Sequence, residues 1–303
     1  MAMRGREIHA ALETGRIFQT QNTLEGVGTL KAIRIAAAVC RCPLGRIAEN
    51  LKTVERLAAR AARCGAALVC FPELNVTGYG VGRALLDAAL PARSGALDGL
   101  AATAARTGVV LLAGLAQSGP GTRVYAAHGV FWPDGRRQTY RKVHLAPPEQ
   151  GVLSAGDRVP LFEAAGIRFG IQLCYDAHFP ELATRMALDG AEVIFIPHAS
   201  PRGTIREKKA SWQRHLLARA FDNGVFVVAC NQRGENGAGL SFPGLAMAIG
   251  PDGAILAGKS TAGDSLLIAD LCADSLSRVR EHRMRYFLPH RRPELYRKGS
   301  TGR

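Results

Sequence analysis

Two Pro-Asp-Gly turns, at residues 133–135 and 251–253, constrain this chain more than any other feature. Each separates two short strand-like runs, the signature of a hairpin. Each hairpin also ends the same series of segments. In the first half, 33–39 is strand-like. Residues 47–64 then have helical spacing, with Ile47, Leu51, Val54, Leu57, Ala58 and Ala61 on one face and Asn50 and Glu55 off it. A short apolar strand at 67–71 stops at Pro72, a helix is expected over 96–105, a strand over 109–115, and the hairpin over 124–132 and 136–145. In the second half the same order runs through a strand at 167–173, a helix at 181–188, a strand at 193–196 and a helix at 205–221. That helix carries Trp212, Leu216 and Ala220 on one stripe, with Leu217 and Phe221 beside it. A strand at 225–230 and the hairpin at 245–249 and 254–259 follow, and 265–269 is a last strand.

Two halves of like design predict an α/β fold with two sheets packed face to face and helices outside. Runs such as Ala-Leu-Val-Cys-Phe (67–71) and Val-Ile-Phe-Ile (193–196) are apolar without alternation, as expected of strands buried on both faces. The expected organisation is an N-terminal extension at 1–32, one domain over 33–274, and a basic tail over 275–303. No low-complexity linker divides the domain.

The chain's 303 residues are ample for a large core, and hydrophobic residues make up 47% of them. No apolar run approaches the ~18 residues of a membrane span, and 1–32 lacks the apolar core of a secretory signal. Seven cysteines, odd in number and scattered through strand-like segments, fit a reducing compartment, and a cytoplasmic location is expected. Cys40-Arg-Cys42 lacks a matching Cys or His pair, so no metal is expected. Net charge is +14. Residues 278–303 hold nine Lys or Arg against two Glu. Tyr286, Phe287, Leu288, Leu295 and Tyr296 interleave with those charges, which favours docking on protein over nucleic-acid binding.

Three chemically distinctive residues stand where strands end. Glu73 closes Leu-Val-Cys-Phe-Pro-Glu, Lys142 sits in Tyr-Arg-Lys-Val-His-Leu, and Cys174 ends the strand 167–173 just before a helix. Ligands of α/β proteins collect at the carboxyl ends of strands. A Cys there, near helix N-terminal amides, is expected to favour its thiolate. Alone, each residue has a plainer reading: a buried structural Cys, a loop carboxylate, a surface ammonium. Together they make an acyl-transfer set. The Cys attacks a carbonyl or nitrile carbon, the Glu moves the proton, and the Lys, with the Tyr175 backbone N–H, stabilises the oxyanion.

The sequence around all three resembles the carbon–nitrogen hydrolase (nitrilase) superfamily. The matching pieces are Phe71-Pro-Glu73-Leu-Asn-Val-Thr-Gly-Tyr79, Tyr140-Arg-Lys142-Val-His-Leu145, Gly156-Asp157, Cys174-Tyr-Asp176, Phe179-Pro-Glu181 and Gly190-Ala-Glu-Val-Ile194. The resemblance spans about 33–296. It implies a four-layer α-β-β-α sandwich and a cofactor-free triad, with Glu73 as general base, Lys142 as oxyanion stabiliser and Cys174 as nucleophile. It also implies a second glutamate between the Lys and the Gly-Asp element, for which Glu149, eight residues before Asp157, is the candidate. A homodimer or larger homo-oligomer is expected, with the tail as a subunit contact.

Cys-Tyr-Asp resembles the amidase and carbamoylase branches, whereas true nitrilases commonly read Cys-Trp-Glu. The expected substrate is therefore a small amide or N-carbamoyl amine. A nitrile is the alternative, and a catalytically silent interaction protein the second. Carbamoyl amino-acid hydrolases often carry arginines just after the Cys motif, where this chain has Ala177-His178. Arg202, in the loop His198-Ala-Ser-Pro-Arg-Gly, is either a substitute carboxylate ligand or a surface Arg. Tyr79, Asn75, His178, His198 and Asn231 are further candidates for the pocket by position, and His144 for supporting the site by hydrogen bonding.

Overall fold

The computed structural model describes residues 33–296; the expected extension at 1–32 and the last residues of the tail lie outside the described residues. In chain order the elements are β1 (Ile33–Val39), α1 (Ile47–Arg63), β2 (Leu68–Cys70), α2 (Arg83–Asp87), α3 (Gly95–Thr107), β3 (Val110–Ser118), β4 (Val124–Phe131) and β5 (Arg137–Arg141). The second half holds β6 (Phe162–Ala164), β7 (Ile167–Ile171), α4 (Pro180–Leu188), β8 (Val193–His198), α5 (Ile205–Asn223), β9 (Phe226–Asn231), the short β10 (Gly234–Glu235) and β11 (Ser241–Phe242), then β12 (Leu245–Ile249), β13 (Ile255–Ser260), β14 (Ser265–Leu271) and α6 (Ala273–Arg280).

Two six-stranded sheets form, in the orders β14-β1-β2-β3-β4-β5 and β6-β7-β8-β9-β12-β13. In each, three parallel strands are followed by an antiparallel hairpin, and one antiparallel strand lies outside the first parallel one. Both Pro-Asp-Gly turns close as expected. The N–H of Gly135 reaches Trp132 O at 3.1 Å and that of Gly253 reaches Gly250 O at 2.9 Å. Their φ angles of 88° and 80° are ones that glycine alone adopts without strain.

Alternation along the strands divides the core into three layers. Ile35, Cys70, Leu112, Phe169, Phe195 and Val228 meet between the sheets. Ala36, Val69 and Leu111 face the other way, against Leu57 of α1 and Leu100 of α3. Ile194, Ile196 and Val227 pack on Met186 of α4 and on Trp212 and Leu216 of α5. The result is the α-β-β-α sandwich. α5 is well delimited: the Thr204 side chain accepts from Glu207 N–H in a capping box, and Gly224 ends the helix in the left-handed conformation. Among the described residues no helix is long and apolar enough to cross a membrane.

Four details differ from the sequence expectation. β14 returns across the molecule to pair with β1, Ile33 opposite Leu271, so the last strand completes the first sheet. Its counterpart in the second sheet is β6, a three-residue strand too short to show periodicity. Asn50 lies on the buried face of α1, where its side-chain N–H groups donate to Pro43 O and Val76 O, both at 2.9 Å. Finally, the expected boundary at 274/275 falls inside α6. Leu276 and Val279 of that helix are buried, and Arg280 donates to Ala191 O at 2.7 Å and Gly224 O at 3.1 Å. The start of the tail is thus docked on its own chain.

Candidate active site

The parallel strands β2, β7, β8 and β9 end on the same side of the sandwich. β5 runs in their direction too, because it is antiparallel to β4, which is antiparallel to β3. Glu73 follows β2, Lys142 follows β5 and Cys174 follows β7, so the three residues meet at one rim. Lys142 and its neighbour Arg141 point to opposite sides. Arg141 leaves the core, holds Gln117 Oε1 at 3.0 and 3.2 Å, and faces a solvent-open groove of about 550 Å³ that contains none of the three.

Lys142 Nζ donates to Glu73 Oε1 and to Glu149 Oε1, each at 2.8 Å, and all three side chains are fully buried. The far oxygens are fixed as well: Glu73 Oε2 accepts from the N–H of Ala199 at 3.0 Å, and Glu149 Oε2 from that of Ala146 at 2.8 Å. Burial disfavours charge on Glu73. Lys142 offsets part of that cost, nearby Glu149 adds to it, and the carboxyl is pushed up to about 7. For Lys142 burial acts the other way, but the attraction of Glu73 and Glu149 outweighs it and holds the ammonium well above its ordinary range.

Cys174 is half-buried, and its φ of 45° is unusual for a residue with a side chain. Leu74, next to Glu73, is also left-handed at 52°. Strained backbone thus sits at both the thiol and the carboxylate, a pattern common at functional sites. Cys174 begins a 3-10 turn, Cys174–His178, and the helix α4 starts only at Pro180. Burial raises its pKa, and Glu73 and Glu149 raise it further against the pull of Lys142 and Lys208. The expectation of a resting thiolate is therefore corrected: the group rests as a thiol and needs a base to take its proton.

Asp176 joins the two sheets behind the site. Its carboxylate accepts from Tyr140 O–H at 2.8 Å, Leu173 N–H at 2.9 Å and His144 N–H at 2.8 Å, with the His144 ring Nδ1 at 2.9 Å. The turn that carries Cys174 is thereby tied to the strand that carries Lys142. Gln232 and Asn75 brace from below, Gln232 donating to Glu73 O at 2.8 Å and Asn75 accepting from Gly114 N–H at 2.7 Å. Arg219 of α5 donates to Ala177 O at 2.9 Å and His178 O at 3.4 Å, clamping the same turn.

The remaining position-based candidates separate. Tyr79 is buried edge-on to Phe242 at 6.3 Å, and the charges of Glu149 and Glu73 act on it, so it walls the site. Tyr175 follows the thiol, its ring 5.5 Å from those of His178 and Phe179. His178 is exposed and lies against His215 at 4.5 Å. His198 turns into the helix layer instead, its ring tilted 37° against that of Trp212 at 4.5 Å, with Nδ1 2.8 Å from Ile196 O. Asn231 is consumed in bracing the loop after β8: it accepts from Ser200 N–H at 2.9 Å and donates to Ser200 O and Pro243 O at 3.1 Å. Arg202 is exposed on that loop, with no side-chain hydrogen bond or ion pair among the described residues. Sequence reasoning missed Lys208 and Arg219. Their signal was present: positions 208, 212, 215, 216 and 219 share one face of α5, so two basic residues stand in the register of a buried stripe.

Residues 34–281 match the carbon-nitrogen hydrolase family. The chain belongs to that family. It is 31% identical over 276 residues to a protein of Pseudomonas protegens named "Hydrolase in pqqF 5'region", covering 89% of this chain and 93% of that protein. It is 33% identical over 264 residues to a deaminated glutathione amidase of Synechocystis sp., covering 82% and 94%. Among solved structures it resembles a mutant of the amidase from Nesterenkonia sp. AN1, described as carrying the acetamide moiety of fluoroacetamide on its active-site cysteine. That match has a TM-score of 0.74 at 26% identity and covers 87% of this chain and 95% of the other. This carbon–nitrogen hydrolase thus shares the sandwich of the nitrilase superfamily.

Proposed function

We propose that this chain is an amidase that cleaves a small amide or N-carbamoyl amine through a thioester on Cys174. One observation carries the reading: an ammonium held at 2.8 Å by two buried carboxylates, beside a strained thiol on which all three charges act. Packing does not require that set, because an ion cluster of this kind costs more desolvation than an apolar core of equal volume.

Cys174 Sγ attacks the carbonyl carbon while Glu73 takes the thiol proton. A carboxyl poised at about 7 is matched to this exchange near neutral pH. The C=O electron pair moves to oxygen, and Lys142 with the Tyr175 N–H stabilises the resulting charge. Glu73 returns the proton to the nitrogen, the C–N bond breaks, and ammonia or an amine leaves. Water then attacks the thioester, Glu73 accepts its proton, and collapse yields the acid and restores the thiol. Glu149 keeps Lys142 aligned and charged throughout. For an N-carbamoyl substrate the released acid is carbamate, which decomposes to CO2 and ammonia.

The test is ammonia release from a panel of amides, N-carbamoyl amines and nitriles, with Cys174→Ala as control. Turnover of amides or carbamoyl compounds that disappears in the variant is expected; turnover that persists sinks the assignment. The proposal extends to assembly. Met284, Phe287, Leu295 and Tyr296 of the tail are exposed apolar groups suited to a second subunit. A chain ending at His290 keeps α6 and its buried contacts, and an unchanged native mass there would exclude Leu295 and Tyr296 from the contact.

A further inference from the structure

Lys208 is the second ammonium withdrawn from solvent at this rim, and its surroundings differ from those of Lys142. It is half-buried in the first turn of α5, where the helix dipole disfavours a cation. Its Nζ donates to Ser200 Oγ at 2.6 Å and Pro201 O at 3.4 Å, both neutral acceptors. Among the described residues it has no carboxylate in ion-pair contact, and Glu207 beside it is engaged with Thr204. Burial lowers its pKa, and the group that opposes this is Cys174, so its charge is felt at the thiol.

The loop that Lys208 holds is also the loop that holds the proposed base. Ala199 N–H fixes Glu73 Oε2, Ser200 N–H is fixed by Asn231, and Ser200 Oγ takes the Lys208 proton donor. An ammonium with three N–H groups and two neutral partners has one to spare. The Ser200 hydroxyl, accepting from Lys208, has its own proton to give. Two donors, one of them cationic, therefore stand side by side at this rim, and among the described residues no carboxylate contacts either.

Resting on the amidase reading, we propose that Lys208 and Ser200 form an anion-binding subsite, so that the preferred substrates are short amides carrying a carboxylate at the end remote from the scissile bond. The half-buried cation without a carboxylate is then completed by the substrate. The exposed Arg202, expected from the sequence as a possible carboxylate ligand, is not needed for this contact.

The test compares glutaramate, a five-carbon monoamide with a terminal carboxylate, with pentanamide, which has a methyl group in its place. Wild type should favour glutaramate in kcat/KM. In Lys208→Met that preference should fall by about 10- to 100-fold, the scale of a charge-assisted hydrogen bond, mainly through KM. Lys208→Arg should recover part of it. An equal loss on both amides would overturn the subsite and make Lys208 a general electrostatic aid to the thiol. A second measurement does not depend on turnover: glutarate binding to Cys174→Ala by calorimetry. Binding that weakens at least about tenfold when Lys208→Met is added supports the subsite, and unaltered binding overturns it. A chain that binds glutarate through Lys208 but hydrolyses no amide would refute the amidase reading alone.

Discussion

Lys142 and Lys208 come from different layers of the sandwich and both act on Cys174, and the fold treats their charges differently. Lys142 comes from the first sheet and lies 2.8 Å from each of two buried carboxylates, a cluster closed in charge except for one surplus negative. Lys208 comes from the helix layer of the second sheet and, among the described residues, meets a hydroxyl and a carbonyl and no carboxylate. A fully paired buried ion is a fixed part of the protein. A half-buried ion with neutral partners is a place where a ligand's charge adds favourably. The contrast separates the proposed chemical machinery from the proposed recognition of substrate.

The largest effect should come from breaking the closed cluster. Lys142→Met leaves Glu73 and Glu149 facing each other in a buried site without their cation. We expect a loss of about 3–5 kcal/mol in unfolding free energy, as for other buried pairs stripped of one partner. Urea unfolding measures it, and amide turnover should fall below detection in the same preparation. A variant as stable as wild type would mean that the carboxylates relax to water or share a proton at little cost.

The next effect is in pH. In the proposed role of base Glu73 must be ionised to take the Cys174 proton, and its carboxyl is pushed up to about 7 while the thiol is pushed up beyond it. With pentanamide, whose own charge does not change, kcat/KM should rise with pH, about tenfold per unit below 7, and level off above it. The linkage sign for stability is opposite. A carboxyl raised in the folded state binds more protons there than in the unfolded chain, so its contribution to stability is greatest below its unfolded pKa. That contribution declines as pH rises towards 7. A flat rate profile between pH 6 and 8 would remove Glu73 from the role of base.

Much of this was legible in the sequence, and the failures have physical causes. Apolar strands and turn residues mark where the strands before Glu73, Lys142 and Cys174 end, and the resemblance of the motifs around all three to one family joins them into a set. The two-sheet plan followed from the repeated order of elements. The pairing of β14 with β1 was not legible, because periodicity describes a strand and not its distant partner. The polarity of Asn50 points to the outside of α1, yet two carbonyls satisfy its amide and let it be buried. Asp176 served only as a branch marker, although its four contacts bind the two halves of the site. The state of Cys174 is not legible in the sequence: local amides are visible there, whereas desolvation and the neighbouring carboxylates appear only in the folded chain.

The smallest expected effect sharpens the comparison most. Lys208→Met strands no buried carboxylate, and the loss of its bond to Ser200 is offset by relief of a desolvated cation in the first turn of α5. Unfolding free energy should change by less than about 1 kcal/mol, against several for Lys142→Met. The two proteins should then respond differently to an anion. Glutarate at about 100 times its Kd should stabilise wild type by about 2.7 kcal/mol through mass action. At the same concentration it should stabilise Lys208→Met by only about 0.4–1.4 kcal/mol, for binding weakened about 100- to 10-fold. If Lys208→Met instead unfolds as easily as Lys142→Met, Lys208 belongs to the framework of the loop after β8. The distinction between a closed and an open charge would then not hold.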